Sequence, residues 1–334
     1  MALAISGVDR ISALPDAILV HILSFLESRM VAATSILSSR WRDLWHTVPT
    51  VDLDDALFSD EEELFVRFAY AVILSRDVRQ PILNFRFKSE YSLSAQCDVE
   101  LWLNTAIQHK VERIELSPSI NSEIKLPIRI LTCATLVVLK LANLTVDGIS
   151  TVHLPALQIL YMDGVEFEKR EYVDMILSGC PNIEDLQIES LYLYLNFRPL
   201  AVTFGNLIHM QFSVYYCRWW LLLGLLNSCP LLQILEMRKE KKKILASLSD
   251  RLSRHYPKIV PGCLSSHLRV CSLQNFHGAD VDIQFAIYIM QNASVLKKMT
   301  ICCSRYSSEG HRLEILKKIS KVPSISRICE LVFE

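Results

Sequence analysis

Residues 136–141 read Leu-Val-Val-Leu-Lys-Leu, 157–162 read Leu-Gln-Ile-Leu-Tyr-Met and 183–188 read Ile-Glu-Asp-Leu-Gln-Ile. Each puts an apolar side chain at the first, fourth and sixth positions. The same spacing occurs earlier as Ile82-Phe85-Phe87 and Val111-Ile114-Leu116. It continues as Leu207-Met210-Phe212, Leu232-Leu235-Met237, Leu268-Cys271-Leu273, Leu296-Met299-Ile301 and Ile328-Leu331-Phe333. One such match carries no information in a chain that is 51% apolar. Ten in succession, with starts mostly 21–29 residues apart, are the mark of a repeat architecture.

That period matches the leucine-rich repeat, so the chain is expected to form a curved α/β solenoid with one strand and one helix per repeat. Amphipathic stretches such as Val99-Trp102-Leu103-Ala106-Ile107 and Val173-Ile176-Leu177 supply helices between strands. Cys133, Cys180 and Cys229 each precede the first anchor of a repeat by three residues. Ser178-Gly179-Cys180-Pro181 and Asn227-Ser228-Cys229-Pro230 are near copies. These cysteines read as packing residues at the passage into a strand. Side chains alternate along a strand, so the residue between the last two anchors faces away from the core. Those residues, Lys140, Tyr161, Gln187, Gln211, Glu236, Ser272 and Thr300, are the candidate target-facing positions, with Tyr161 a candidate aromatic anchor.

Upstream of the repeats, residues 9–45 read DRISALPDAILVHILSFLESRMVAATSILSSRWRDLW. Pro15 suits the start of a helix and Asp16 its positive end. Ile18, Leu19, Ile22, Leu23 and Leu26 then form one wide apolar stripe. Val31, Ile36 and Leu37 lead to a short helix holding Trp41, Leu44 and Trp45. Fewer than fifty residues cannot easily bury so many large apolar groups. The stretch resembles the F-box, through Leu14-Pro15, the Ile18-to-Leu23 face, Ser39-Arg40-Trp41-Arg42 and Leu44-Trp45. The resemblance implies a module that docks on a Skp-type adaptor and, through it, a cullin scaffold. The implied adaptor-binding residues are Leu14, Pro15, Ile18, Leu19, Ile22 and Leu23, with Ile36, Leu37 and Trp41 in support.

Ser59-Asp60-Glu61-Glu62 looks like a capping box opening a helix, with Leu64, Phe65, Phe68 and Val72 on one side. Between Leu232 and Leu268 a basic run, Arg238 to Lys243, precedes a helical pattern of Ile244, Leu245, Leu248 and Leu252. Such a run is more often a solvated segment than a nuclear signal. From about Pro261 the sequence resembles the FBD module of a large plant family that combines F-box, leucine-rich repeats and FBD. Its landmarks are Cys263-Leu264, Phe276-His277-Gly278, Asn292-Ala293, Leu296 to Ile301 and Cys329 to Phe333. Pro323-Ser324-Ile325-Ser326 departs from the usual Pro-Arg-Ala-Ser. The expected division is an F-box over 9–47, repeats over 48–259 and an FBD over 260–334 that closes the solenoid with two or three irregular repeats.

A net charge of −1 gives no general attraction to nucleic acid or acidic lipid. No stretch is long and apolar enough to span a bilayer; Trp219 to Leu226 reads as a buried helix. The N-terminus lacks the basic start and long apolar run of a signal peptide. The ten cysteines show no Cys-x-x-Cys and no zinc-ligand spacing. They read as buried free thiols of a reducing compartment, nucleus or cytoplasm, where the sequons at Asn143 and Asn292 carry no glycan. Phosphate-binding glycine loops, nucleophile elbows and His-Glu-x-x-His are missing too, so neither a catalytic residue nor a metal or cofactor is expected. The function implied is a non-catalytic substrate receptor of a Skp–cullin–F-box ubiquitin ligase, binding an unknown protein target. The alternatives are a repeat scaffold outside any ligase and a receptor gated by a small molecule.

Overall fold

The computed structural model describes residues 10–11, 13–58, 61–76, 79–91, 96–169, 171–189, 203–214, 219–239, 260–305 and 307–334. The chain forms two compact units, residues 1–130 and 131–334.

The first unit opens with α1 (Asp16–Leu23), α2 (Ser28–Ala33) and α3 (Ser39–Leu44), joined and followed by short 3-10 turns. Pro15 caps α1 in an extended conformation. Its carbonyl accepts from the Ile18 and Leu19 amides at 3.0 and 3.2 Å. Leu19, Leu23, Val31, Trp41, Leu44 and Val48 form the core of these helices, with Leu14, Val20, Leu26 and Trp45 packed against it. Arg40 joins the two ends of the motif. Its Nε donates to Asp16 Oδ1 at 2.8 Å and its Nη2 to the Leu14 carbonyl at 2.5 Å.

Next come β1 (Thr50–Asp54), α4 (Glu62–Leu74), β2 (Asn84–Lys88), α5 (Gln96–Gln108) and β3 (Arg113–Ser117). The three strands are parallel and in sequence order, Val51 beside Phe85 and Phe85 beside Ile114. Phe65, Ala69, Val72 and Ile73 of α4 are buried, whereas Leu64, expected on that face, is 48% exposed. The buried face is centred on Phe65, Ala69, Val72 and Ile73, with Phe68 half-buried at its edge and Leu64 beyond it. Ser59 and Asp60 lie outside the described residues. Glu61 stands at the N-cap without a side-chain cap bond. Phe65 meets Trp102 edge-on at 5.9 Å, and Phe87 lies 6.1 Å from the same indole. Three side chains stitch the helical module to β1 and its neighbours. Ser28 Oγ accepts from the Asp52 amide at 2.8 Å. Arg29 donates to the Leu57 carbonyl and lies 5.2 Å over the Phe58 ring. Buried Arg76 donates to the carbonyls of Val48 and, at 2.9 Å, Thr50.

The second unit contains β4 (Val138–Ala142), β5 (Thr145–Val146), β6 (Ile159–Asp163), β7 (Glu166–Phe167), α6 (Glu171–Ser178), β8 (Asp185–Glu189) and β9 (His209–Val214). It continues through α7 (Trp219–Leu226), β10 (Ile234–Lys239), α8 (Gly262–Ser266), β11 (Val270–Phe276), α9 (Asp280–Asn292), β12 (Lys298–Cys303), α10 (Glu309–Ser320) and β13 (Glu330–Phe333). Strands 4, 6 and 8 to 13 form a parallel sheet in that order, each beside its successor. Consecutive parallel neighbours without a skipped strand are what a solenoid requires. Among the anchors, those from Leu136 to Ile301 are all buried. The last set differs: Ile328 is 66% exposed, and Leu331 and Phe333 are half-buried.

The expected helix is missing between β4 and β6. Leu136 to Leu157 is the shortest interval in the chain, and the short strand β5 takes the place of a helix there, paired with β7. The tight exits from β4 and β6 use left-handed residues, Asn143 at φ 52° and Gly164 at φ 59°. A Cβ on Gly164 would stand 2.9 Å from Asn143 Oδ1, so the two turns are nested. The cysteines behave as packing groups. Cys180 Sγ donates to the Ile176 carbonyl at 3.1 Å and Cys229 Sγ to that of Leu225 at 3.3 Å. Burial pushes the Cys180 thiol up to about 12, far from reactive thiolate.

In the C-terminal segment, Gly278 adopts φ 71°, and a Cβ there would stand 2.4 Å from Ile315 Cδ1 of α10. Ser326 is buried and donates to the Leu296 carbonyl at 2.6 Å, while Ser324 Oγ reaches the Met290 carbonyl at 3.3 Å. The helical pattern from Ile244 to Leu252 and most of the basic run lie outside the described residues. The first two basic residues, Arg238 and Lys239, finish β10. No helix among the described residues is long and apolar enough to cross a membrane.

Candidate interaction surfaces

The apolar stripe of α1 is divided by the helix into two faces. Leu19 and Leu23 are 0% and 1% exposed and lie in the core. Ile18 and Ile22 point outward at 46% and 44% exposure. One turn on, Phe25 continues that outer face, 77% exposed, with its ring 5.0 Å from that of His21. Met30, Ile36 and Leu37 are exposed as well. Of the expected docking residues, Leu19, Leu23 and Trp41 are therefore core groups that hold a surface from behind, since a sealed side chain has no area to offer a partner. Leu14 is half-buried and Pro15 exposed. Phe25 and Met30 escaped the sequence reading. The signal for Phe25 was its place seven residues after Ile18, two turns along the same face.

Lys140, Tyr161, Gln187, Gln211, Glu236, Ser272 and Thr300 are partners in register across neighbouring strands from β4 to β12, so the structure brings all seven into one row. Their access differs. Lys140 is exposed, Ser272 is buried, and the other five are half-buried. Tyr161 is not a free aromatic anchor: its hydroxyl donates to Asp163 Oδ2 at 3.5 Å, and burial pushes its pKa up to about 12.

Two further rows flank this one and add charged groups to the face. Asp163 of β6 and Glu189 of β8 are partners in register. Asp185 starts β8 beside His209 of β9. His209 Nδ1 lies 2.9 Å from Asp185 Oδ1, and its Nε2 lies 3.9 Å from Glu236 Oε2. The hydrogen bond to Asp185 raises the His209 pKa, aided by the charges of Asp185 and Glu236 and opposed by burial. Burial acts to raise the Asp185 carboxyl, but hydrogen bonds from His209 and Gln187 outweigh it and hold the group below its ordinary value. Gln211 Nε2 donates to Glu189 Oε1 at 2.6 Å. In the first unit the matching row is Asp52, Arg86 and Glu115, linked by ion pairs of 3.2 and 3.4 Å. Among the described residues no group of three His, Cys, Asp or Glu side chains could hold a metal ion.

Three family models match the chain. The F-box domain covers residues 11–51, the leucine-rich repeats of FBD-associated F-box protein At5g56370 cover 99–198, and FBD covers 256–301. The F-box/FBD/LRR-repeat protein At4g26340 of Arabidopsis thaliana is 24% identical over 428 residues, covering 98% of this chain and 100% of the relative. The F-box/FBD/LRR-repeat protein At4g00160 of the same plant is 26% identical, covering 99% of this chain and 95% of the relative. The F-box/LRR-repeat protein At4g14103, also of Arabidopsis thaliana, is 35% identical over 215 residues, 61% of this chain and 55% of the relative. F-box modules in general bind Skp-type adaptors and are non-catalytic. The chain thus carries matches to an F-box, leucine-rich repeats and an FBD in that order, and along nearly its whole length it is similar to F-box/FBD/LRR-repeat proteins.

Proposed function

We propose that this protein is the substrate-recognition subunit of a Skp–cullin–F-box ubiquitin ligase. The F-box, taken as residues 9–47, docks on the adaptor. The repeats over 48–259, closed by the FBD over 260–334, hold a target protein. Catalysis is then positional: a target held near activated ubiquitin reacts as if it were locally concentrated. The observation that carries this reading is the pair of faces on α1. Its inner face completes a core without help from outside, while Ile18, Ile22 and Phe25 remain on the surface. Fully burying one such side chain contributes about 1.5–3 kcal/mol, so a face of three or more supports a stable complex. Leu14 and Pro15, with Ile36 and Leu37, extend the proposed contact.

The test is co-purification of the full chain with a Skp-type adaptor. An Ile18→Asp, Ile22→Asp double variant is expected to lose the adaptor while its melting temperature stays within a few degrees, because both side chains already face solvent. Adaptor retention by that variant would overturn the assignment.

A further inference from the structure

We propose that the polar face of the second unit, from β6 to β10, receives a Lys- or Arg-bearing segment of the target protein, whose cations pair with Asp163, Glu189 and Glu236. The proposal rests on the reading of the repeats as the target-binding region and adds the chemistry of what they bind.

The argument starts from charge left uncompensated. Asp163 and Glu189 are direct partners on neighbouring parallel strands. Adjacent strands are about 4.8 Å apart, and like charges set opposite each other destabilise a sheet. A cation between them would remove the penalty, yet no Lys or Arg among the described residues pairs with either. Their hydrogen-bond donors are the neutral side chains of Tyr161 and Gln211. Among the described residues the ion-pair partner of Glu236 is His209, at 3.9 Å. Asp185 is held by His209 and Gln187. The first unit handles the same geometry differently: Arg86 bridges Asp52 and Glu115, and Lys88 reaches Asp54 and Glu90 at 3.6 and 2.9 Å. The fold therefore has a way to neutralise this face, and among the described residues it is not applied to Asp163 or Glu189.

A second observation points to a ligand. Ser213 follows Gln211 by two residues on β9, so it lies on this face and on the side of Glu189. It is 3% exposed, and its Oγ has no hydrogen-bond partner. A buried hydroxyl without a partner costs about 1–3 kcal/mol, and a guanidinium or ammonium spanning the carboxylates would supply the missing donor. Of the cations native to the face, Arg238 is the exposed in-register partner of Ser213 and turns away from the carboxylates, toward β11. Lys140 is on β4, and Arg238 Nε donates to Gln274 of β11 at 3.2 Å. Charge complementarity thus selects a basic peptide over an acidic or an apolar one.

The experiment uses the full chain with its adaptor and fluorescein-labelled peptides of alternating Arg and Ser or of alternating Glu and Ser, read by anisotropy. The Arg-Ser peptide is expected to bind, more weakly as salt rises, and the Glu-Ser peptide to give no signal. An Asp163→Asn, Glu189→Gln variant should lose about tenfold in affinity, the sum of two partly exposed pairs. The Asp52→Asn, Glu115→Gln variant, whose carboxylates are already paired, should bind as the parent does. Equal binding of both peptides, an unchanged Asp163→Asn, Glu189→Gln variant, or the same loss in the control variant would each overturn the proposal. Adaptor co-purification is read in the same samples, so failure of the peptide assay with the adaptor retained refutes the basic-segment assignment and leaves the receptor reading standing.

Discussion

At the residue scale, His209 is the group whose state reports on the acidic face. It lies between Asp185 and Glu236, and Lys140 acts on Asp185 from β4. Its folded-state pKa is raised, so its contribution to stability is complete below the unfolded value of about 6.5 and is lost as pH rises through the folded value. Asp185 is held low, so its contribution is complete above about 3.9 and is lost as pH falls through its folded value. Together they stabilise the second unit most between those limits. NMR titration of the imidazole is expected to place His209 above its ordinary value in the parent and lower in an Asp185→Asn variant. The stability gap between parent and His209→Ala, from urea unfolding, should narrow as the pH passes upward through that titration.

At the element scale, the join between the F-box helices and the first repeat is a set of side-chain contacts to backbone. Arg76, just beyond α4, is buried and reaches Val48, in the F-box core, and Thr50, the start of β1. Desolvation pulls its pKa down to about 10, which still leaves it charged at neutral pH. Its hydrogen bonds to two carbonyls offset part of the cost of burying that charge. Replacing it by Met keeps most of the volume and leaves those carbonyls without their donor. The Arg76→Met variant is expected to lose about 2–3 kcal/mol. Hydrogen exchange should rise first at residues 48–54, ahead of α1 to α3; uniform protection across the first unit would contradict this role for Arg76.

At the scale of the whole molecule, the receptor reading assigns separate tasks to separate surfaces. Ile18 and Ile22 belong to the first compact unit, Asp163 and Glu189 to the second. Combining the two double variants should therefore give additive losses: adaptor retention set by the first pair alone, basic-peptide affinity by the second alone, each within about 0.5 kcal/mol. Larger coupling would mean that the two tasks share a structural element. Much of this organisation was legible in the chain. The apolar triplets marked the strand positions and, in all but the last set, the side each residue takes, because alternation in a strand is strictly local. Leu14-Pro15 and Ser39 to Trp45 marked the helical module for the same reason, as caps and helical spacing act over a few residues. Tertiary structure alone decided which half of the α1 stripe is core, because Leu19 and Ile18 are equally apolar and only the positions of α2 and α3 tell them apart. It also decided that Arg86 neutralises its neighbours while Asp163 and Glu189 are left facing each other. Those groups are far apart in sequence, and only the register between strands brings their charges within a few ångströms.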